Sequence, residues 1–238
     1  MKLLMIRHGE PDYEHDSLTP KGWKEADLLA DRISKLKVSG FYCSPLGRAR
    51  DTAAATLRRM GRKAEICGWL REFPASIVRP DTGRRGIAWD LLPGFWTRRK
   101  DLYDRDGWYD DPVMRTGGVR ELYRAVADGL DAVLASHGYE RAGMCYRVTK
   151  ANCDTIVFFC HLGVSCTMLG HLLGIPAPVL WQGIFLAPTS VTTLVTEERE
   201  QGTAGFRCTG LGDVSHLTLK GEPASDSGLF RETFEAGG

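Results

Sequence analysis

The chain has 238 residues, 43% of them hydrophobic, with 31 Lys and Arg against 30 Asp and Glu. That length and apolar content can supply a sizeable core, and the near-zero charge balance excludes a global field toward nucleic acid or an anionic membrane, so any affinity for anions is local. Seven cysteines, with no Cys-x-x-Cys pair, fit reduced and buried thiols, and no apolar run is long enough to cross a bilayer or act as a signal-peptide core, so a soluble, cytoplasmic protein is expected.

Leu3 to Ile6 form an apolar run that ends in Arg7-His8-Gly9-Glu10. This reads as a buried strand delivering a cation and an imidazole to its carboxyl end, the edge at which open α/β sheets bind ligands. Thr19-Pro20 predicts an N-cap with proline at N1, opening a helix to about Leu36 on which Trp23, Ala26, Ala30 and Ile33 recur at helical spacing. Phe41-Tyr42-Cys43 predicts a second strand, and Ser44-Pro45 a second N-cap and N1 proline before a helix to about Met60. The β-α-β-α order predicts a parallel sheet, to which residues 64–70 would add a third strand.

Residues 73–117 lose clear periodicity and mix Trp89, Trp96 and Trp108 with Arg84, Arg98, Arg99 and many aspartates. This segment reads as an insertion; the acids nearly cancel the cations, which argues against a nucleic-acid groove. Three uses fit it: a cap over the ligand pocket, packing on the core, or a homodimer contact. As a cap it would set substrate choice. Gly117-Gly118 then precedes a helix bearing Leu122, Val126, Leu130, Val133 and Leu134, and residues 139–148 read as a hairpin around Ala142-Gly143. Thr155 to Cys160 is the strongest buried-strand signal, running directly into His161 and a helix that Gly174 and Pro176 terminate. Residues 190–196 and 205–209 read as later strands. From about Gly221 the Gly/Ser/Glu-containing tail is expected to be loose, so that residues 1–238 form one domain with one insertion and a trailing end.

Arg7 and His8, Arg48, Glu72 and His161 all fall at strand ends or helix starts, positions that share one edge of a parallel sheet. Two cations and two imidazoles suit a phosphoryl group. Arg7 and Arg48 can present forked donors to its oxygens, and helix N-termini near positions 45 and 163 add backbone N–H groups. Glu72 is the candidate proton donor to a leaving oxygen, with Glu10 its rival, although nearby arginines are expected to lower the pKa of Glu72 and so oppose an acid role at neutral pH. No His/Cys/Asp cluster has metal-ligand spacing, and neither a Cys-x5-Arg signature nor a Walker loop is present, so no metal or other cofactor is expected.

Arg7-His8-Gly9-Glu10, Ser44-Pro45-Leu46-Gly47-Arg48-Ala49 with Thr52-Ala53, Leu70-Arg71-Glu72, and Phe158-Phe159-Cys160-His161-Leu162-Gly163 together resemble the histidine phosphatase superfamily, also called the phosphoglycerate-mutase-like family. The resemblance implies a three-layer α/β/α sandwich with a mostly parallel central sheet, here carrying a cap-like insertion. It implies a phosphomonoesterase acting on a small soluble phosphate ester. His8 would be the nucleophile that forms a phosphohistidine, Glu72 the acid, and Arg7, Arg48 and His161 the holders of the phosphoryl oxygens. Leu162 departs from the family's usual His-Gly-Gly. Pro11-Asp12-Tyr13-Glu14 replaces the Ser and Asn that follow the opening motif in mutases, and Phe73-Pro74-Ala75-Ser76 replaces the mutase pattern after the acid. Phosphatase therefore outranks a phosphoglycerate-type mutase, and a non-catalytic phosphate-binding module ranks below both.

Overall fold

The two strands with the strongest apolar signal lie side by side at the centre of the molecule. The computed structural model describes residues 1–229. Eight strands form the main sheet: β1 (Lys2–Arg7), β2 (Gly40–Cys43), β3 (Glu65–Ile66), β4 (Tyr139–Ala142), β5 (Cys145–Val148), β6 (Thr155–Cys160), β7 (Val191–Glu200) and β8 (Thr203–Asp213), in the spatial order β3-β2-β6-β1-β7-β8-β5-β4. The β3-β2-β6-β1 half is parallel, and the other strands join it antiparallel.

Strand β1 is buried on both faces, so its alternate side chains feed two different cores. Leu4 and Ile6 meet Leu29 and Ile33 of α1 (Pro20–Ile33) and Ala49 and Ala53 of α2 (Gly47–Met60). Leu3 and Met5 meet Val126 and Leu130 of α3 (Val119–Ser136) and Val164 and Met168 of α4 (Leu162–Leu173). A sheet with a helical layer on each face is the α/β/α arrangement expected from the sequence.

Helix α1 opens as predicted: the Thr19 hydroxyl accepts from the Gly22 N–H at 3.1 Å, and Pro20 occupies the first turn. It ends at Ile33, short of Leu36, and Trp23 on it is 38% exposed. The residue α1 buries at that level is Gly22, which backs against Gly9; a Cβ on Gly9 would stand 2.8 Å from the Gly22 carbonyl oxygen. Glycine follows His8 because the loop needs that close approach.

Residues 64–70 do not form one strand. After the short β3, Gly68–Leu70 turn as a 3₁₀ helix that drives Leu70 into the core and places Glu72 just beyond it. Strands β7 and β8 run longer than their apolar patterns because their far ends form a solvated ribbon. Cys145 and Cys153 are exposed, unlike the buried Cys43, Cys67, Cys160 and Cys166.

Within residues 73–117, Ser76–Arg79 pairs with Arg84–Ile87 in a small antiparallel sheet, followed by short helices at Pro93–Trp96 and Pro112–Arg115. Phe73, Leu102, Trp108 and Met114 are buried in the main core, and the segment's ion pairs run from arginine to aspartate: Arg79 with Asp81 and Asp90, Arg99 with Asp111. Beyond Gly221, where composition predicts a loose end, Ser225 Oγ donates to Glu10 at 2.6 Å and the Ser227 carbonyl accepts from Arg7 at 2.8 Å. The part of that tail from 230 onward lies outside the described residues.

Candidate active site

Register builds the site. In the parallel β1–β6 pair Arg7 stands opposite Cys160, so His8 and His161 emerge together from adjacent strand ends, and the His8 N–H continues the ladder to the Cys160 carbonyl at 3.0 Å. Their ring centroids are 5.1 Å apart. On the other side of β6, Phe159 pairs with Cys43, which brings Ser44 to His161, and the two side chains share a hydrogen bond of 2.8 Å between Ser44 Oγ and Nε2. Ser44 is therefore not the N-cap of α2 that the Ser-Pro pair suggests. Helix α2 starts at Gly47 after an extended Leu46, and the Ser44 hydroxyl accepts from the Leu46 N–H at 3.2 Å while holding the imidazole.

The His8 ring sits with Nδ1 2.7 Å from the Gly9 carbonyl oxygen. A carbonyl accepts only, so Nδ1 carries the proton and Nε2 the lone pair. Burial, reinforced by the nearby charge of Arg7, pushes the His8 pKa down from 6.5 to about 3, which leaves the ring neutral and nucleophilic at neutral pH. His161 is likewise held well below the ordinary imidazole range by burial and by its neighbours His8, Arg48 and Arg7. It acts in this site as a neutral ring, with Nδ1 buried and unpartnered among the described residues.

Arg7 is buried at the end of β1. Its Nη1 donates to the Leu186 carbonyl at 2.6 Å and its Nη2 to the Ser227 carbonyl at 2.8 Å, which leaves buried Nε without a partner among the described residues. Arg48, at the start of α2, donates through Nη1 to Asp16 at 2.6 Å, and its Nε is also unpartnered among those residues. Buried nitrogens left unpartnered among the described residues, on two guanidiniums and one imidazole, are costly unless a ligand completes them. Arg7, His8, Arg48 and Glu72 line one cavity of about 180 Å³, together with Tyr13, Trp89, Leu162 and Gly228.

Glu72 Oε1 accepts from the Phe73 N–H at 2.8 Å and from the Val164 N–H, in the first turn of α4, at 3.1 Å. The carboxylate thus caps a helix whose own N-cap residue, His161, makes no capping bond. With Oε1 occupied, a proton on this acid belongs on Oε2. Those N–H groups and Arg7 and Arg48 favour the anion, as the sequence suggests, but the cost of burial exceeds them and raises the pKa above its ordinary value. The expected lowering is therefore reversed. Glu10 does not line the cavity: its carboxylate accepts from Thr19 at 2.8 Å and from Ser225 at 2.6 Å, and these bonds, Ser225 first, keep its pKa low.

Several residues support the site through contacts that the sequence did not specify. Asp16, with a left-handed φ of 47°, accepts from both the Gly47 N–H at 2.7 Å and Arg48, and so fixes the guanidinium. Thr52 Oγ1 accepts from the Gly9 N–H at 2.9 Å and donates to the Arg48 carbonyl at 2.7 Å, tying the loop after β1 to the first turn of α2. Trp89 alone of the six tryptophans lines the cavity, which gives the 73–117 segment a wall of the site as well as a share of the core.

A family model of the histidine phosphatase superfamily (branch 1) matches residues 3–209. The sequence is 23% identical over 226 residues to "Probable phosphoglycerate mutase GpmB" of Serratia proteamaculans, covering 91% of this chain and 95% of that protein. It is 22% identical over 190 residues to the adenosylcobalamin/alpha-ribazole phosphatase of Salmonella typhi, covering 76% and 84%. In fold it is similar to a mutant phosphoserine phosphatase of Entamoeba histolytica in complex with phosphoserine, with a TM-score of 0.59, 22% identity and coverage of 91% and 98%. A match that runs from the first strand of the sheet into the last, over the segments that converge on the cavity, places the chain plainly: it belongs to the histidine phosphatase superfamily.

Proposed function

We propose that the protein is a metal-independent phosphomonoesterase that works through a phosphohistidine on His8. The observation that carries this reading is the Gly9-locked, neutral imidazole of His8, sharing one small cavity with two arginines and a carboxyl group of raised pKa. His8 Nε2 attacks phosphorus, forming the N–P bond as the P–O bond to the alcohol breaks; Glu72 Oε2 gives its proton to the departing oxygen. A water then attacks phosphorus and yields its proton to the Glu72 carboxylate. The N–P bond breaks, inorganic phosphate leaves, and the imidazole regains its lone pair. Arg7, Arg48 and the Nδ1–H of His161 hold the equatorial oxygens through both steps, so no step calls for a metal ion.

The test is a rapid-quench experiment with a labelled phosphate ester. Acid-labile, base-stable label on the wild-type protein and none on His8→Ala, with hydrolysis abolished in the variant, is the expected result. Turnover that survives His8→Ala overturns the reading. The similarity to the Serratia protein supports a second reading, a phosphoglycerate-type mutase, and the same experiment separates the two: a mutase passes the trapped phosphoryl group to phosphoglycerate and not to water. Bound phosphate with no trapped phosphoenzyme would favour a non-catalytic module.

A further inference from the structure

The cavity that holds His8 adjoins a second compartment of about 230 Å³, with which it shares Trp89, Leu162 and Gly228. An ester whose phosphorus faced His8 would have this space beside it for its alcohol, across three shared walls. Among the described residues its side-chain walls are Trp89, Leu162, Trp181, Ile184, Phe185 and Leu229, with Gln182 the only other. None carries a charge.

The side-chain polar atoms on these walls each have a partner within the protein. Trp89 Nε1 donates to the Phe73 carbonyl at 3.4 Å, and Trp181 Nε1 donates to the Gly163 carbonyl at 3.0 Å. The Gln182 amide, oriented so that both of its polar atoms find partners, pairs with the backbone N–H and C=O of Leu91 at 3.2 Å each. Arg7 packs its guanidinium over the Phe185 ring at 5.5 Å, with both Nη atoms bonded to carbonyls. Both arginines of the first cavity are needed by the phosphoryl group. A carboxylate or ammonium on the leaving group would therefore be desolvated here with no side-chain partner among the described residues.

We infer that the substrate is a phosphate monoester of an uncharged alcohol with a planar or branched apolar body, held between the Trp89 and Trp181 indoles and the Phe185 ring. This rests on the phosphatase reading and narrows it. Leu162, where the family pattern has glycine, supplies part of the apolar wall, and the 73–117 segment supplies Trp89. The esters of amino acids and sugar acids suit this space poorly, because each brings a carboxylate that needs a cation.

The test compares alkyl esters of similar intrinsic reactivity: phenethyl phosphate (apolar, uncharged), glycerol phosphate (polar, uncharged) and phosphoserine (charged). Wild-type kcat/KM is expected to favour phenethyl phosphate over phosphoserine by on the order of 100-fold, the scale on which sites reject a group they cannot pair. Glycerol phosphate should fall between. Ile184→Lys, which adds one cation to the wall, should shrink the phosphoserine gap by about tenfold while phenethyl phosphate loses rate; Gln182→Lys makes the same test if the first variant melts early. Phosphoserine or glycerol phosphate turned over as well as phenethyl phosphate, or a gap unmoved in a folded lysine variant, overturns this inference and leaves the phosphatase reading standing. No hydrolysis of any ester removes both.

Discussion

Gly163 lies directly against the carboxylate of Glu72: a Cβ on it would stand 2.7 Å from Glu72 Oε1 and 2.9 Å from the Trp89 indole nitrogen. Gly163→Ala should favour helix α4 by up to about 1 kcal/mol in intrinsic propensity, yet must push the acid or the indole aside. We expect kcat to fall about 10- to 100-fold for alkyl esters, which need a proton on the departing oxygen, and much less for p-nitrophenyl phosphate, which does not. Equal losses on both substrates would mean that Glu72 is not the acid.

The pH profile should be that of an enzyme active in acid. His8 is neutral down to about 3, so protonation of the proposed nucleophile should not limit the rate across the mildly acidic range. In the proposed mechanism Glu72 gives up a proton, and burial raises its pKa, so kcat for alkyl esters should decline as pH climbs through that raised value. Initial rates across the pH range, with Glu72→Gln as control, check this: the variant should be slow and lack the alkaline limb. An acid limb centred near 6.5 in the wild type would contradict a depressed His8.

Glu72 also has a stability signature. A buried acid with a raised pKa contributes stability below its unfolded value, and this is lost as pH rises through the folded value, where the buried anion must form. Glu72→Gln keeps an oxygen to accept from Phe73 and Val164 without the charge, so it should melt higher than the wild type in alkaline buffer. Thermal melts at two pH values decide the matter.

The buried histidines act in the opposite direction. Burial first, and nearby arginines second, bring His8 down to about 3 and His216 to about 4, from 6.5 in both cases. The unfolded chain takes up protons near 6.5 that the folded chain refuses, so stability is complete above that pH and falls as pH drops through the window toward 4 and then 3. Urea midpoints at a series of pH values should show the decline, and His8→Ala should flatten it.

Asp16 positions Arg48 without lining the cavity. Burial works against its anion, but the Gly47 N–H and the Arg48 guanidinium together hold its carboxyl below the ordinary range. Asp16→Asn keeps an acceptor and the tolerated left-handed backbone while removing the charge. A rise in KM with a fall of about tenfold in kcat/KM is expected, as for other groups that orient a binding side chain. Vanadate affinity should weaken in parallel.

Much of the sheet core was legible because β1 and β6 are short apolar runs that end abruptly in polar groups, and because Thr19-Pro20 and Gly174 punctuate their helices in the ordinary way. The residues around the reactive groups were harder to read. Ser44 has the local chemistry of an N-cap, and only the β2–β6 register shows that its hydroxyl serves His161. Asp16 sits in an unremarkable polar stretch and matters only because a left-handed turn brings it to α2. Whether the Glu72 pKa rises or falls depends on how much protein surrounds it against how many donors it meets, a balance of two opposing effects that no spacing reveals. Likewise Ser225 and Ser227 are ordinary tail residues until the chain folds back to Glu10 and Arg7.

The pairing of β1 with β6 has a consequence for biogenesis. His8 is made well before the ladder partner that sets His161 beside it, and such a distant pairing is slow to close. A nascent or half-folded chain therefore carries the imidazole but no cradle for an anion. Phosphate or vanadate can stabilise only the finished fold, and refolding monitored by ligand capture should report the docking of these two strands as its last event.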